Sequence, residues 1–314
     1  MKTTAASADI QPLPFDPSKL RGLSARLIES HHRNNYSRAA GRLVEIQTQL
    51  SALDWAEAAG FLVNGLKREE LIASNSVVLH ELYFSTLGGD GVLQASGTPA
   101  EVTVGLRRDF GSVEAWRREF TALALGLAGG AGWGLLSWSH RQNRLINQWA
   151  SDHSQLLAGA TPILALDMYE HSYHIDFGAD AKAYVAAFMD NVDWDGVAAR
   201  HKTAVADSTN TLAMTAEAAH NSPQLKRLDV RRDGAYEASG EIIEGAVWRD
   251  PVRVDEWARE LTGQQVLVYC VHGNAVGRAT AARLRRAGVS AFFLAGGIEN
   301  WKAQNRPLVH KAER

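Results

Sequence analysis

Apolar residues recur at helical spacing through the first part of the chain. Over residues 17–50 they return at steps of three and four, and the same spacing predicts a second helix over residues 67–87. The segment 51–65 carries Gly60 and Gly65, which are typical of a connection. Two long helices joined by a short connection predict an antiparallel hairpin.

The hydrophobic pattern changes after the glycine-rich stretch at 88–91. A further helix is predicted over residues 113–127, where a second glycine-rich stretch ends it. Short apolar runs then predict strands, and the last of them leads into a helix that begins at 169–173. The predicted strands cover residues 134–138, 144–149 and 162–166. Helices first and a small sheet later indicate an α+β fold.

The last third of the chain has a different pattern. Residues 201–225 are rich in Ala, Thr and Ser and poor in large apolar residues, which predicts a linker that is partly helical. Beyond it, short buried strands are predicted at 228–230, 265–270 and 290–294, separated by helical segments. Regular alternation of strand and helix predicts a parallel sheet and therefore a second domain.

Composition and charge exclude several classes of protein. The chain has 314 residues, 46% hydrophobic and 22% charged, with a formal net charge of −2. These values are ordinary for folded proteins and give no general attraction to nucleic acid or an anionic membrane. No apolar run approaches the ~20 residues that span a bilayer, and the first residues lack the apolar core of a secretory signal. We expect a cytoplasmic protein that binds neither nucleic acid nor membrane.

The densest candidate chemistry is Asp167-Met-Tyr-Glu-His171. A carboxylate and an imidazole four residues apart can share one face of a helix and bind a metal ion. The spacing also fits a pair on a solvated helix face. Two further histidines, His31 and His80, lie on the predicted hairpin, and either alone fits a hydrogen-bonded core histidine equally well.

Taken together, these residues resemble the iron/manganese superoxide dismutase family over residues 14 to about 201. The resemblance is carried by six segments in the family's order. They are Leu27-Ile-Glu-Ser-His31, Leu79-His-Glu-Leu-Tyr-Phe84, Phe110-Gly-Ser, Gly132-Trp133, Leu166-Asp-Met-Tyr-Glu-His-Ser-Tyr173 and Asn191-Val-Asp-Trp194. It implies an N-terminal arm (1–15), an α-hairpin domain (16–90) and an α/β domain (91–201).

The resemblance also implies a metal site and a reaction. The ligands would be His31, His80, Asp167 and His171, which would hold one iron or manganese ion per subunit. Three imidazoles and a carboxylate suit a first-row metal that must be held in two oxidation states. The implied activity is disproportionation of superoxide to dioxygen and hydrogen peroxide.

The chain departs from the family around the implied metal. Where members place a Gln against the metal-bound solvent, alignment puts His153, which we expect to act as an outer-shell partner that can change charge near neutral pH. The family's gate tyrosine is replaced by Ala39, and the usual histidine one turn after the first ligand is Asn35. Tyr36 lies nearby in sequence, but on a regular helix it would be about 140° round from His31 at ~100° per residue.

Four more residues are implied to surround the site or join subunits. Tyr83 and Trp133 resemble the family's aromatic wall, although ordinary core aromatics fit the pattern equally well. Glu170 resembles the glutamate that bridges to a ligand histidine of a second subunit, and Tyr173 is available to pair with Asn35 across that interface. We therefore expect a homodimer or a tetramer.

The only cysteine, Cys270, excludes an intrachain disulfide. It lies where an apolar strand ends and a helical run follows Gly273, a position that can stabilise an anionic sulfur. A buried, unreactive cysteine is the alternative.

Residues 226–309 resemble a single rhodanese domain, which gives a predicted linker at 202–225 and a domain at 226–314. The matching segments are Leu228-Asp-Val-Arg-Arg232, Gly240-Glu-Ile-Ile-Glu-Gly-Ala246 and Leu294-Ala-Gly-Gly-Ile-Glu-Asn-Trp301. The resemblance implies that Cys270 carries a sulfane sulfur between a donor and an acceptor thiol or cyanide. The implied sulfur loop comprises Asp229, Val271, His272, Gly273, Asn274 and Ala275.

The loop also departs from active rhodaneses. Arginines often stand directly after the cysteine and five residues after it, where this chain has Val271 and Ala275. The related phosphatase loop needs an arginine six residues after the cysteine. Val276 occupies that position, which excludes a phosphatase.

The first hypothesis is therefore a superoxide dismutase with an appended sulfurtransferase or sulfur-sensing domain. The alternative is a metal-binding scaffold with low dismutase activity, whose main chemistry is persulfide transfer by Cys270. A third hypothesis treats both domains as non-catalytic redox sensors.

Overall fold

The structure is a computed structural model, and it describes residues 8–93 and 100–311. Parts of the predicted arm (1–7), of the α/β domain (94–99) and of the C-terminal domain (312–314) lie outside the described residues. The described chain divides into two compact units. The first holds residues up to 138 and 145–202, and the second holds 139–144 and the residues from 203 onward.

The first unit begins with helices. They are a 3-10 helix Pro17–Lys19, α1 Ala25–His31, a π-helical turn His32–Tyr36, α2 Ser37–Ser51 and α3 Gly60–Thr86. The hydroxyl of Ser24 caps α1 by accepting a hydrogen bond from the Leu27 amide at 3.1 Å. Helices α2 and α3 pack together through Ile46, Leu50 and Ala73. The hairpin predicted from the sequence is present.

Its details differ from the prediction in two ways. The helix predicted over 17–50 is interrupted, because α1 and α2 are joined by the π-helical turn. The second helix begins at Gly60 and includes Gly65, both predicted to lie in a connection. A methyl group at either glycine would meet nothing within 4 Å, so both lie on an open face. A glycine costs a helix only about 1 kcal/mol, so the remaining turns of α3 can carry both.

The rest of the first unit combines helices with a three-stranded sheet of order β2-β1-β3. The helices are α4 Ala100–Phe110, α5 Val113–Leu125, a 3-10 helix Glu170–Ser172, α6 His174–Phe177, α7 Ala181–Asp190 and α8 Trp194–Thr211, of which residues 203–211 are counted with the second unit. The strands are β1 Trp133–Ser139, β2 Arg144–Ala150 and β3 Ala160–Asp167. The sequence reasoning did not predict α4, and the helix predicted to begin at 169–173 starts as a single 3-10 turn.

The sheet delivers one ligand candidate directly. Every residue of the central strand β1 is buried, and the last five residues of β3 are buried up to its end at Asp167. Gly132 precedes β1 with φ +139°, and a side chain there would collide with the carbonyl of Ala150. Only glycine therefore fits where β1 enters the sheet beside β2.

The second unit is built on a five-stranded sheet of order β4-β9-β8-β5-β7, whose neighbouring strands run parallel. Its strands are β4 Ala213–Met214, β5 Lys226–Asp229, β7 Val247–Trp248, β8 Gln265–Tyr269 and β9 Ser290–Leu294. A separate antiparallel pair joins β6 Glu241–Ile243 to β10 Leu308–His310. The helices are α9 Ala216–His220, α10 Asp233–Glu237, α11 Val254–Trp257, a 3-10 helix Ala258–Leu261, α12 Ala275–Arg286 and α13 Gly297–Ala303.

Alternate residues of β8 enter different cores. Val266 and Val268 belong to one buried cluster, and Leu267 and Tyr269 belong to another. A strand that is buried on both faces is expected at the centre of a parallel sheet. The predicted alternation of strand and helix is thus the observed architecture.

The segment predicted as a linker, 202–225, contains regular structure. Helix α8 continues to Thr211, β4 pairs with β9, and α9 follows. The Ala-rich composition that indicated a linker also favours helix, and β4 is only two residues long, so local pattern gives it no signal. Across the described residues, no helix has both the length and the apolar character needed to cross a membrane.

Candidate metal and sulfur sites

The two hairpin histidines are placed by buried helix faces. His31 is the last residue of α1, where Leu27 and Ile28 are buried beside it. His80 lies on the buried face of α3 with Ser76 and Tyr83. The Nδ1 of His80 donates a hydrogen bond to the Ser76 carbonyl at 2.6 Å, since a carbonyl can only accept. The His80 Nε2 is thereby left with a free lone pair.

The carboxylate and the fourth imidazole come from the end of β3. Asp167 is fully buried, and its Oδ1 accepts a hydrogen bond from the Tyr169 amide at 2.8 Å. The hydroxyls of Ser172 and Tyr184 each donate to the Asp167 carbonyl at 2.8 Å. These bonds fix the turn that carries His171, so that Oδ2 of Asp167 remains for other contacts.

One donor atom from each of His31, His80, Asp167 and His171 lies within 4.8 Å of all the others. The Oδ2 of Asp167 is 3.1 Å from Nε2 of His31, 3.1 Å from Nε2 of His171 and 3.7 Å from Nε2 of His80. Among the described residues, Nε2 of His31 and of His80 are buried without a hydrogen-bond partner. An ion about 2.1 Å from each donor holds such atoms roughly 3–4 Å apart. The four residues therefore fit a first-row metal ion.

The ionisation of the cluster suits metal binding. Burial lowers the pKa of His31, and burial together with the His31 charge lowers the pKa of His80 to about 3. Burial alone would raise the pKa of Asp167, but the imidazoles of His171 and His31 outweigh it and hold that pKa far below its ordinary value. The lowered pKa values keep His31 and His80 neutral and Asp167 ionised, which are the forms that bind metal.

Aromatic rings surround the cluster. The ring of Tyr83 is 5.0 Å and that of Phe84 5.1 Å from the ring of His31, and Trp133 lies 5.3 Å from His80. Tyr83 and Trp133 are the two residues that the sequence singled out as a wall. Phe84 ends the same sequence motif, but no role was predicted for it. Its position one helical turn after His80 is the sequence signal that could have placed it beside the cluster.

The predicted outer-shell residue His153 lies beside the cluster. Its ring is 6.2 Å from the ring of His80 and 5.7 Å from that of Trp133. The Nδ1 of His153 is 3.1 Å from the hydroxyl of Tyr169, whose ring stacks on His171 at 5.4 Å. Burial lowers the pKa of His153 and raises that of Tyr169 to about 12. The sequence reasoning gave Tyr169 no role, although it lies two residues from each of two ligand candidates.

A groove leads from the surface to the cluster. It has a volume of about 280 Å³ and is lined by residues that include Asn35, Arg38, Ala39, His80 and His153. The position of the missing gate tyrosine, Ala39, therefore lies in this groove. Arg38 places a cationic side chain in the lining, which favours the entry of an anion.

Tyr36 does not stand 140° from His31, because residues 32–36 form a π-helical turn. Such a turn bonds residue i to i+5 and advances less per residue than an α-helix. The Tyr36 ring accordingly lies 6.3 Å from that of His80. Its hydroxyl donates to Glu81 at 2.8 Å and accepts from the Gln11 amide at 2.8 Å, and the residue lines a separate groove with Pro12.

The residues implied at a subunit interface differ in exposure. Glu170 is exposed, and its carboxylate is 3.7 Å from Nδ1 of the exposed His174. Tyr173 is only 2% exposed and stacks on Tyr184 at 5.1 Å. The predicted pairing of Tyr173 with Asn35 of a second subunit stays a prediction. His174, which the sequence reasoning overlooked, presents the exposed ring next to Glu170.

Cys270 follows β8 and is the only cysteine. It is 6% exposed, and the chain leaves the strand through a loop tied back by two amides. Ile298 and Glu299 donate to the carbonyls of Cys270 and Val271 at 3.0 and 3.1 Å. In the predicted loop His272, Asn274 and Ala275 are exposed, whereas Val271 is half-buried and Gly273 is buried with φ +62°.

Asp229, the remaining predicted member of the sulfur loop, forms a buried ion pair with Arg231. Arg231 donates through Nε to both carboxylate oxygens of Asp229 at 3.0 Å and through a terminal nitrogen to the Glu241 carbonyl at 3.0 Å. Asp229 is fully buried and Arg231 is 2% exposed. The guanidinium of Arg231 is thus committed to the fold beside β5 and not to the surface of the loop.

Comparison with known proteins agrees with both units. Residues 98–200 match the family described as iron/manganese superoxide dismutases, C-terminal domain, and residues 213–304 match the rhodanese-like domain. A "Superoxide dismutase [Fe]" of Cupriavidus metallidurans is 55% identical over 199 residues, which cover 63% of this chain and 98% of that protein. A "Superoxide dismutase [Mn] 2" of Haloferax volcanii is 35% identical over 208 residues, covering 63% and 98%.

The fold, the cluster of donor atoms and these matches define a metalloprotein with an α+β unit and a rhodanese-like unit. The chain belongs to the iron/manganese superoxide dismutase family. The resemblance stated from the sequence is confirmed for both parts of the chain, as is the class of fold.

Proposed function

We propose that the first unit is a superoxide dismutase that holds one iron or manganese ion with His31, His80, Asp167 and His171. The observation that carries the proposal is the buried set of four converging donor atoms, in which two imidazole nitrogens have no hydrogen-bond partner among the described residues. Bound iron or manganese would supply the one-electron chemistry that converts one superoxide to dioxygen and another, with two protons, to hydrogen peroxide. Relatives named for iron and for manganese support either metal.

The residues around the ligands have distinct tasks in this proposal. Arg38 in the groove attracts the superoxide anion, and the absence of a large side chain at Ala39 leaves the entrance open. Trp133, Tyr83 and Phe84 pack against the ligand rings and exclude water from the metal side. His153 offers an imidazole to oxygen atoms that occupy the groove.

The second unit is proposed to handle sulfane sulfur through Cys270. The thiolate would attack the outer sulfur of a donor such as thiosulfate and form a persulfide while sulfite leaves. An acceptor thiolate or cyanide would then take that sulfur and release the Cys270 thiolate. The rhodanese-like match supports this step, and the Asp229–Arg231 pair commits that guanidinium to the fold and not to the loop. A sulfur-sensing role, in which the persulfide forms but is not passed on, is the second candidate.

Assembly and location belong to the proposal as well. The exposed Glu170 and His174 favour a homodimer in which this edge meets a second copy. The cytoplasmic location stays a prediction from the sequence.

The test of the first unit is metal content measured together with dismutase rate on the same sample. We expect about one iron or manganese ion per chain and fast turnover, and we expect both to be lost in His31→Ala. His32→Ala is the matched control, because His32 is the next residue but contacts the Gln11 carbonyl instead of the cluster. A normal dismutase rate in His31→Ala would contradict the ligand assignment. Full metal without turnover would favour the scaffold hypothesis.

The test of the second unit is sulfur transfer from thiosulfate to cyanide. We expect Cys270→Ser to abolish it and to leave dismutation at the parent rate. Transfer at the parent rate in Cys270→Ser would remove this residue from the reaction. Stable persulfide on the parent chain without transfer would favour the sensor.

A further inference from the structure

Tyr169 makes a contact that the proposed function does not use. It lies between two ligand candidates, Asp167 and His171, and its hydroxyl oxygen is 3.1 Å from Nδ1 of His153. The loop that carries His153 is held independently, because the side-chain amide of Asn75 donates to the His153 carbonyl at 2.6 Å. Both partners of the contact are therefore fixed by other interactions.

The protons available to the two side chains decide which of them donates this hydrogen bond. A phenol hydroxyl carries one proton, and among the described residues His153 Nδ1 is the only acceptor within reach of Tyr169. If Nδ1 carried its own proton, it would donate to the phenol oxygen, and the buried Nε2 would be left as a bare lone pair. If Tyr169 donates, Nδ1 is satisfied and the imidazole proton sits on Nε2.

The hydrogen bond to Tyr169 uses Nδ1 of His153 and leaves the other ring nitrogen, Nε2. It is buried and has no hydrogen-bond partner among the described residues. The His153 ring lines the groove with His80 and His171 and lies nearly parallel to the His80 ring, at 22°. The proton on Nε2 therefore belongs to a ring that lines the groove beside the proposed ligands His80 and His171.

We infer that Tyr169 is a positioning residue, which fixes His153 in the Nε2-protonated tautomer by donating its hydroxyl hydrogen to Nδ1. Tyr169 and His153 then act as one unit that presents a single N–H donor to the groove. This inference rests on the proposed function of the first unit, since the donor matters only if an oxygen ligand comes there. It adds a residue that determines which nitrogen of His153 donates.

Ring stacking alone would give Tyr169 a different role. Its ring stacks on His171 at 5.4 Å and 16° and is 6.3 Å from the ring of Trp133. Tyr169→Phe keeps these contacts and removes only the hydroxyl. Any effect of that substitution on the nitrogens of His153 therefore reports the hydrogen bond and not the packing.

The first experiment reads the His153 nitrogens directly. The full-length chain is labelled with 15N-histidine, freed of paramagnetic metal and studied by NMR, with His153→Gln used to assign the resonances. We expect Nδ1 to be unprotonated and hydrogen-bonded, with the proton on Nε2. In Tyr169→Phe, we expect the Nδ1 resonance to shift to that of a nitrogen without a hydrogen bond. Tyr36→Phe is the control, because it removes another hydroxyl near the hairpin that does not contact His153.

The second experiment is a double-mutant cycle on the iron-loaded chain. Substitutions that disturb residues behind a metal site cost roughly 10- to 100-fold, and we expect Tyr169→Phe to lower the dismutase rate by about tenfold. In the His153→Gln background the same substitution should change the rate by less than about twofold, because its route of action is gone.

The outcomes separate the inference from the proposed function. A proton on Nδ1 in the parent chain, or unchanged His153 resonances in Tyr169→Phe, would overturn the inference. Equal losses in both backgrounds of the cycle would do the same. If the fully iron-loaded parent shows no turnover, the proposed function fails, and the NMR result still decides the tautomer.

Discussion

A buried histidine outside the metal cluster allows a quantitative prediction about acid stability. His201 lies in α8, is 5% exposed and stacks edge-on against Trp138 at 5.3 Å. Among the described residues, neither of its ring nitrogens has a hydrogen-bond partner. Burial, together with the charge of Arg108, lowers the pKa of His201 from 6.5 to about 4. The folded protein therefore holds this ring neutral.

The magnitude follows from proton linkage. The pKa of His201 is lower in the folded state than in the unfolded state. Its contribution to the unfolding free energy is therefore complete above pH 6.5 and is lost as the pH falls towards 4. Each pH unit in this window removes about 1.4 kcal/mol of unfolding free energy. Acidification from pH 6.5 to pH 4 should thus cost roughly 3 kcal/mol through this one residue.

The perturbation is His201→Leu, which keeps a side chain of similar bulk and removes the titration. Urea unfolding is followed by circular dichroism from pH 8 to pH 4 for the parent and the variant at matched metal content. Below pH 6.5, the unfolding free energy of the variant relative to that of the parent should rise by about 1.4 kcal/mol for each pH unit of acidification. His310→Leu removes an exposed histidine and should give no such slope. Parallel stability curves for His201→Leu and the parent would refute the reasoning.

Three further predictions concern the proposed sites. Asp167→Asn removes the buried negative charge, so the chain should bind iron roughly 100-fold more weakly or worse, measured by competition with a chelator; unchanged affinity would contradict the assignment. His153→Gln should alter the pH profile of dismutation or the ratio of iron to manganese taken up, and the outer-shell role fails if both stay the same. Gly297 has φ +61°, and a side chain there would collide with the carbonyls of Cys270 and Val271. Gly297→Ala should destabilise the second unit by roughly 1–3 kcal/mol in urea and lower sulfur transfer, whereas a stable, fully active variant would mean that the loop tolerates the change.

The parts that could be predicted from the sequence are those with long-range regularity. Helical spacing over many residues found the hairpin, and alternating strand and helix signals found the parallel sheet. The Asp167–His171 spacing gave a weak local signal, but the four residues were joined into one ligand set only through the resemblance, because Asp167 and His31 are distant in sequence and no local pattern links them. Their convergence depends on β3 ending beside α1 and α3.

The features that could not be predicted from the sequence are those set by tertiary context. The sequence His32–Tyr36 contains nothing that distinguishes a π-helical turn from an α-helix, so the angular position of Tyr36 was wrong. The two-residue strand β4 exists only because β9 offers it an edge. Tyr173 stacks on Tyr184 of α7, which local pattern cannot place against the ligand turn, and its predicted pairing with a second subunit stays a prediction.

The division of the ligand set between two distant segments has a consequence for the order in which the site can form. His31 and His80 both belong to the hairpin, whereas Asp167 follows His31 by about 140 residues. At synthesis rates of about 5–20 residues per second, the carboxylate is made roughly 7–28 s after the first imidazole. A metal ion that meets the growing chain therefore finds two imidazoles without the carboxylate, and the site can close only after β3 has joined the hairpin.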